Sequence, residues 1–410
     1  MRQGFPRFQS RIISSKGTYG IILWTISIYL FTLINDFLNW PILQFARVVS
    51  PIKYRDTSWV LEDADCYREI GSKIYSLPSE TGCPGYLYGR PLLEVLNFMH
   101  ISQNDTLAFV YTLRALFALS FAFLIAKLSA NLFAKFTLTG LILFSPGVQL
   151  MVYNSNIDLL IFAMVVFGTF AIQRGYITLG LFLVFLSGLF KFYTIPLLLL
   201  FILLLTKKRH KVLSLLVFLV ATVSAALDLL LMQEPIPAGG YAQFGVTIFS
   251  KYLEQVGISL SAASTFIFSG LIFLATVLLV LSIFHSFKAE VKFREISEQP
   301  LFLVFASVFI SCFLTGISYD TRLIYLTFAG YYFLLILPQG LARKAFMTFL
   351  AIASLLSCGI ELGFISESDS GFHPLRGVQL VNDIAIEFLA AIFFVTLVFW
   401  FFKRVQRVHA

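Results

Sequence analysis

The stretch Gly188-Leu189-Phe190-Lys191-Phe192-Tyr193-Thr194-Ile195-Pro196 interrupts an apolar run that extends from Tyr176 to Thr206. That run is too long for one membrane crossing of about 20 residues and short for two. It follows Arg174 and ends at Lys207-Lys208-Arg209-His210-Lys211. Both flanks are of the cytoplasmic kind, and an odd number of crossings would put them on opposite sides. The run is therefore read as two short spans turning at Lys191. Pro196 fits the first turn of the returning helix, where no backbone N–H is needed. Lys191 then lies at the outer face.

The composition of the whole chain agrees with that reading. Of 410 residues, 58% are hydrophobic and 16% aromatic, and the mean hydropathy is +0.86. Charged residues make up 13%, against about 25% in an ordinary globular protein. Apolar surface on this scale belongs in lipid. The net charge of +8 is not a nucleic-acid signature, because the basic residues fall between apolar segments as the positive-inside rule predicts. Arg2, Arg7, Arg11 and Lys16 precede the first span with no small-residue cleavage site after it, which reads as a retained signal anchor.

About twelve spans follow from the apolar windows and their flanks. They are Gly20–Leu38, Leu107–Ala126, Phe136–Tyr153, Asp158–Ile172, the pair split at Lys191, Val212–Met232, Ile258–Phe284, Pro300–Gly316, Leu323–Leu337, Ala345–Gly363 and Ile384–Phe402. Both termini are then cytoplasmic, and residues 1–410 form one transmembrane domain. The outer face receives the long loop 39–106, the Tyr153–Asp158 turn, Lys191, the Gly239-Gly240 loop, the Ser318–Arg322 turn and the Ser366–Asp383 loop. The cytoplasmic connectors are short and basic, so the chemistry is expected outside. In the first loop, Asp63 to Leu77 reads as a helix on the spacing of Tyr67, Ile70 and Ile74. Pro78 to Pro84 is a turn-rich break. Pro91 to Ile101 is a second helix with Leu92, Leu93, Leu96 and Met99 on one side. Both helices would lie along the membrane interface.

The same loop holds an acidic knot, Val60-Leu61-Glu62-Asp63-Ala64-Asp65-Cys66-Tyr67-Arg68-Glu69. Asp63 and Asp65 point about 200° apart on a helix, so only one of them can face a site. One reading makes them the acidic first turn of a helix, favoured by its dipole. The other makes one of them a general base for an acceptor hydroxyl. Lys191, inside an apolar stretch, either snorkels to the interface or, with Tyr193, meets a lipid phosphate. Asp320 and Arg322 either pair with each other or leave Arg322 to read a phosphate. Arg90 and Arg114 are further basic candidates. Asn154, Asn156 and Asp158 either cap the fourth span or contact substrate. Cys66 and Cys83 flank a polar segment and can form a disulfide in an oxidising compartment. Cys312 and Cys358 lie in apolar spans as packing residues. No cluster of His and Cys suggests a zinc site.

Several motifs, taken together, resemble a known family. They are Asp63-x-x-x-Tyr67, Tyr86-x-Tyr88-Gly89-Arg90-Pro91-Leu92, Asn154-Ser155-Asn156-Ile157-Asp158 leading to Gln173-Arg174-Gly175, Gly180 to Gly188 running into Lys191 and Pro196, and Tyr319-Asp320-Thr321-Arg322-Leu323. In order and sidedness they resemble the polyprenol-phosphate-dependent mannosyltransferases of the GT-C superfamily, in particular glycosyltransferase family 87. The resemblance covers residues 20 to 340; relatives commonly carry Gly-Gln where this chain has the Asn154 turn.

The resemblance implies an all-α, GT-C-like bundle with amphipathic helices in the first extracytoplasmic loop, in a bacterial plasma membrane. It implies a polyprenyl-phosphate-linked sugar donor, a lipid or glycan acceptor, surrounding membrane lipids and no nucleic acid. Transfer is inverting, with Asp63, or failing it Asp65, as base. Lys191, Arg322, Arg90 and Tyr193 face the donor phosphate. Tyr67, Asn154, Asn156, Asp158 and Asp320 line the substrate site; no cofactor is expected, and an isolated acid with basic partners argues against a divalent metal without ruling one out. Two other classes compete: a transporter or flippase, for which Asp228, Glu361 and Glu387 within spans argue, and an O-antigen-type polymerase or ligase, which acts from large late outer loops. Reporter fusions at either terminus should score as cytoplasmic, and a reporter within 39–106 as external; the reverse pattern overturns the topology.

Overall fold

The computed structural model describes residues 15–34, 54–75, 83, 89–128, 131–231, 243–255, 258, 260–286, 300–315, 318–319, 322–337, 340–356 and 374–409. In chain order the helices are α1 (Ser15–Ile34), α2 (Arg55–Ile70), α3 (Arg90–Phe98), α4 (Thr106–Lys127), α5 (Leu132–Leu143), α6 (Pro146–Tyr153), α7 (Asp158–Gln173) and α8 (Ile177–Phe190). Then come α9 (Pro196–Leu204), α10 (Lys208–Leu231), α11 (Ile248–Gln255), α12 (Ala262–Ser286), α13 (Pro300–Leu314), α14 (Leu323–Ile336), α15 (Leu341–Leu355) and α16 (Pro374–His409). Two-residue strands β1 (Gln243–Phe244) and β2 (Ser318–Tyr319) pair antiparallel.

Among the described residues, four stretches are long and apolar enough to cross a bilayer: Gln103–Lys127, Lys208–Asp228, Ala263–Ile283 and Leu380–Phe402. Shorter apolar helices accompany them, so this is an all-helical, membrane-embedded protein. Exposed side chains on α10 and α12, such as Leu216, Leu219, Leu271 and Leu278, are what lipid-facing helices require.

The chain divides into two compact units. The first comprises Met1–Lys135 and Leu150–Ala238. Its tightest pairing is α7 on α8, where two glycines meet. A Cβ on Gly180 would lie 2.5 Å from the Gly168 carbonyl oxygen, and one on Gly168 would lie 3.0 Å from that of Gly180. Only glycine lets two helix backbones come this close. The turn between them follows from Gln173-Arg174-Gly175. Gly175 adopts φ 92° and donates its N–H to Ile172 O, while the Tyr176 N–H bonds Ala171 O. These two bonds satisfy the last carbonyls of α7 at a left-handed glycine.

The second unit comprises Phe136–Gln149 and Gly239–Ala410. Phe393 of α16 is its aromatic hub, with the rings of Phe302, Phe309, Phe333 and Phe346 between 5.7 and 6.2 Å away.

Three expectations need correction. The window Phe136–Tyr153 is not one straight span: α5 and α6 are bent by 63°, because Pro146 cannot donate to the preceding turn. The loop helix begins at Arg55 and not at Asp63; the acid in its first turn is Asp56, so the helix dipole does not explain Asp63. Leu92, Leu93 and Leu96 share a buried side of a helix that ends at Phe98, and Met99 beyond it is 60% exposed. The interruption at Lys191 is present, as a 3-10 turn over Phe192–Thr194 with Pro196 opening α9. At nine residues, α9 is only about 14 Å long. The break near Pro78, Tyr86, Tyr88, Cys358, Glu361 and Asp320 fall outside the described residues.

Gly180→Leu should cost about 1–3 kcal/mol through overpacking, read as a lower unfolding temperature in detergent. Gly270→Leu, where nothing lies within 4 Å of the new Cβ, should leave it unchanged.

Candidate functional site

The site is built on one stripe of α2. Asp56, Asp63 and Tyr67 are 7 and 4 residues apart, so at 100° per residue they fall within about 40° of one another on the helix. The two ends of the stripe are anchored in different clusters, and Asp63 lies between them.

The first cluster forms around the turn after α6 and the break after α8. Lys191 is buried, and its Nζ lies 2.8 Å from Asp158 Oδ1. Tyr193 donates its hydroxyl to the same oxygen at 2.8 Å. Asn156 joins three elements: its Oδ1 accepts from the Asp158 N–H at 2.8 Å and from Lys191 at 3.3 Å, and its Nδ2 donates to Asp56 Oδ2 at 2.6 Å. Asn156, one residue before the N-cap Ile157, thus ties the first N–H of α7 to α2. Burial raises the Asp56 pKa; the Lys191 charge and the Asn156 hydrogen bond oppose that rise.

Arg114 fastens the start of α2 to this turn. It is fully buried; its Nε donates to Ser155 Oγ, Nη2 to Val152 O at 2.8 Å and Nη1 to Thr32 O, and its guanidinium lies 5.1 Å from the Tyr54 ring centre. Tyr54 and Ser155 both hold positive φ, 61° and 48°, which costs free energy that the bonds around Arg114 offset. Thr57 donates its hydroxyl to Ser155 O.

The second cluster anchors the far end of the stripe. Tyr67 donates to Glu94 Oε1, which also accepts from Arg90 Nε and Nη2, both at 3.1 Å. Burial, then the bond to Glu94, holds the Tyr67 hydroxyl above its ordinary pKa, so it remains a donor. The Arg90 N–H donates to Asp228 Oδ2 at 3.0 Å. Gly89 seats this segment on the end of α8: its N–H bonds Phe190 O at 3.1 Å, and a Cβ there would fall 1.8 Å from Leu189 O.

Asp63 is 3% exposed, and its Oδ1 has no hydrogen-bond partner among the described residues. Burial, with the Glu62 charge adding to it, raises its pKa to about 7. A carboxyl poised near neutrality can take up and release a proton at working pH. Asp65, two residues on, faces the opposite way: it pairs with Arg68 at 2.7 Å and accepts from the Gln103 N–H. It fixes the loop. The disulfide Cys66–Cys83 forms beside it.

Lys191 does not snorkel, since it is buried against Asp158. Both Lys191 and Arg90 have a carboxylate where the sequence reading gave them a phosphate. The buried Asn154 has an Oδ1 without a partner among the described residues. Arg322 is half-buried in the second unit. Asp56, Glu94 and Asp228 were not singled out for the site from sequence, although Asp56 in the first turn of an amphipathic helix was a usable signal. No group of three metal-ligating residues occurs among the described residues.

Lys191→Met should destabilise by about 3–5 kcal/mol, because it leaves the Asp158 carboxylate buried without its cation. The double variant with Asp158→Asn should recover much of that loss in chemical unfolding. No family model, curated protein or solved structure matches the chain.

Proposed function

We propose that the protein is a membrane glycosyltransferase of the GT-C kind, moving a mannose-like hexose from a polyprenyl-phosphate donor to a lipid or glycan acceptor. In this reading the chain crosses a bacterial plasma membrane about twelve times, with both termini cytoplasmic and α2 at the outer face. The observation that carries it is Asp63: a buried carboxyl, incompletely bonded, poised near neutral pH and flanked on one stripe by two charged clusters. Asp63 removes the acceptor proton while the acceptor oxygen attacks the anomeric carbon. The bond from that carbon to the phosphate oxygen breaks, and the lipid phosphate leaves with the electron pair and needs no acid. Attack from the face opposite the leaving group inverts the centre. A phosphate reaches Lys191 or Arg90 only in competition with Asp158 or Glu94. Lys191 is therefore assigned to holding the site in shape as well as to the donor, and Arg90 to holding it in shape.

A base acts ionised, so transfer should rise with pH and level off above a midpoint near 7. Asp63→Asn should lower kcat by about 10²–10⁴-fold and abolish that rise, whereas Asp65→Asn should retain it. The assay is transfer from polyprenyl-phosphate mannose by the purified protein in liposomes; undiminished transfer by the Asp63 variant overturns the assignment.

A second reading, a transporter, is favoured by α16. Glu387 is 3% exposed, and neither of its carboxylate oxygens has a partner among the described residues; intramembrane acids of this kind mark ion or substrate paths. Accumulation of substrate in vesicles without a covalent product would select it.

A further inference from the structure

The second cluster borders a groove of about 640 Å³, lined by Arg90, Pro91, Glu94 and Val95 of α3 and by Ser224, Leu227, Asp228 and Leu230 of α10. One wall is polar and the other greasy. Leu227 and Leu230 are 56% and 81% exposed at the end of an apolar, bilayer-length helix, where lipid chains lie. Glu94 already holds the Arg90 guanidinium and Asp228 already accepts the Arg90 N–H, so a phosphate would have to displace a carboxylate and an amine would have to displace Arg90. Hydroxyls both donate and accept, and so they suit a wall that carries acceptors at Glu94 and Asp228 and donors at Arg90. Ser224 adds a group able to do either.

We propose that this groove binds the uncharged, polyhydroxylated head of a glycolipid, with its chain running along Leu227 and Leu230. As the acceptor site of a glycosyltransferase it rests on the reading above; as a binding site it does not. Asp228 anchors the wall through the Arg90 N–H, and Tyr67 positions Glu94. The same stripe of α2 that carries Asp63 one turn before Tyr67 thus leads from the groove toward that carboxyl.

The test uses the full chain in phosphatidylcholine nanodiscs and dodecyl probes with a diazirine in the tail, bearing maltoside, phosphate or amine heads. The maltoside should label α3 or α10 peptides in preference to the other two. Glu94→Gln should reduce that labelling about 2–10-fold, the value of a lost hydrogen bond. Leu227→Trp, which fills the groove from its lipid side and leaves every polar bond in place, should abolish it. Equal labelling by all three heads, preference for phosphate or amine, or labelling that persists in Leu227→Trp overturns the proposal. Sugar transfer that survives such a result leaves the transferase reading standing; head-selective labelling without transfer keeps the site and removes its acceptor role.

Discussion

An ammonium inside a helix break, out of reach of water, must be neutralised where it stands. Removing a charge from water costs several kcal/mol even after the protein relaxes, and Lys191 meets that requirement with Asp158. The rest of the site is arranged around this pair. Tyr193 donates to the same Asp158 oxygen, Asn156 accepts from Lys191, and Asn156 carries the connection on to Asp56. The start of α2 is therefore tied, through Asn156, to an ion pair between α7 and the break after α8.

Asp63 differs from the other acids of the site in having a buried oxygen without a hydrogen-bond partner among the described residues. Asp56, Asp65, Asp158 and Asp228 each have a partner at hydrogen-bond distance. Asp63 keeps one oxygen without one. A buried acid in that condition is a cost to folding that grows with pH: the folded chain retains a proton which the unfolded chain releases near its ordinary pKa, so stability falls from there up to about 7. Structure elsewhere must outweigh that cost, and the bonds of Arg114 and the Gly168–Gly180 contact belong to the same unit.

Much of this could be read from sequence where the cause is local. Gly175 after a helix-length run, the turn at Lys191 before Pro196, the buried face Leu92, Leu93 and Leu96, and the opposed directions of Asp63 and Asp65 each follow from a few neighbouring residues. What escaped was long-range. Asp56 reaches Asn156 across 100 positions and Arg90 reaches Asp228 across 138, and no periodicity encodes such pairs. The kink at Pro146 was legible in principle, but hydropathy averaged over the window masked it. The start of α2 was missed because the apolar spacing of Val60, Leu61 and Ala64 lies upstream of the acids that drew attention.

The Asp56–Asn156 tie also bears on how the chain is made. Its two ends, and then Lys191, leave the ribosome in succession, and at roughly 5–20 residues per second the interval from Asp56 to Lys191 is on the order of ten seconds. Through that interval Arg114 has been synthesised before the Val152 and Ser155 groups that receive it, and α2 has no surface on which to settle. Insertion machinery or lipid headgroups must shelter these polar side chains until the later helices arrive. A chain ended between residues 158 and 190 would carry Asp158 without Lys191, the cation that neutralises it.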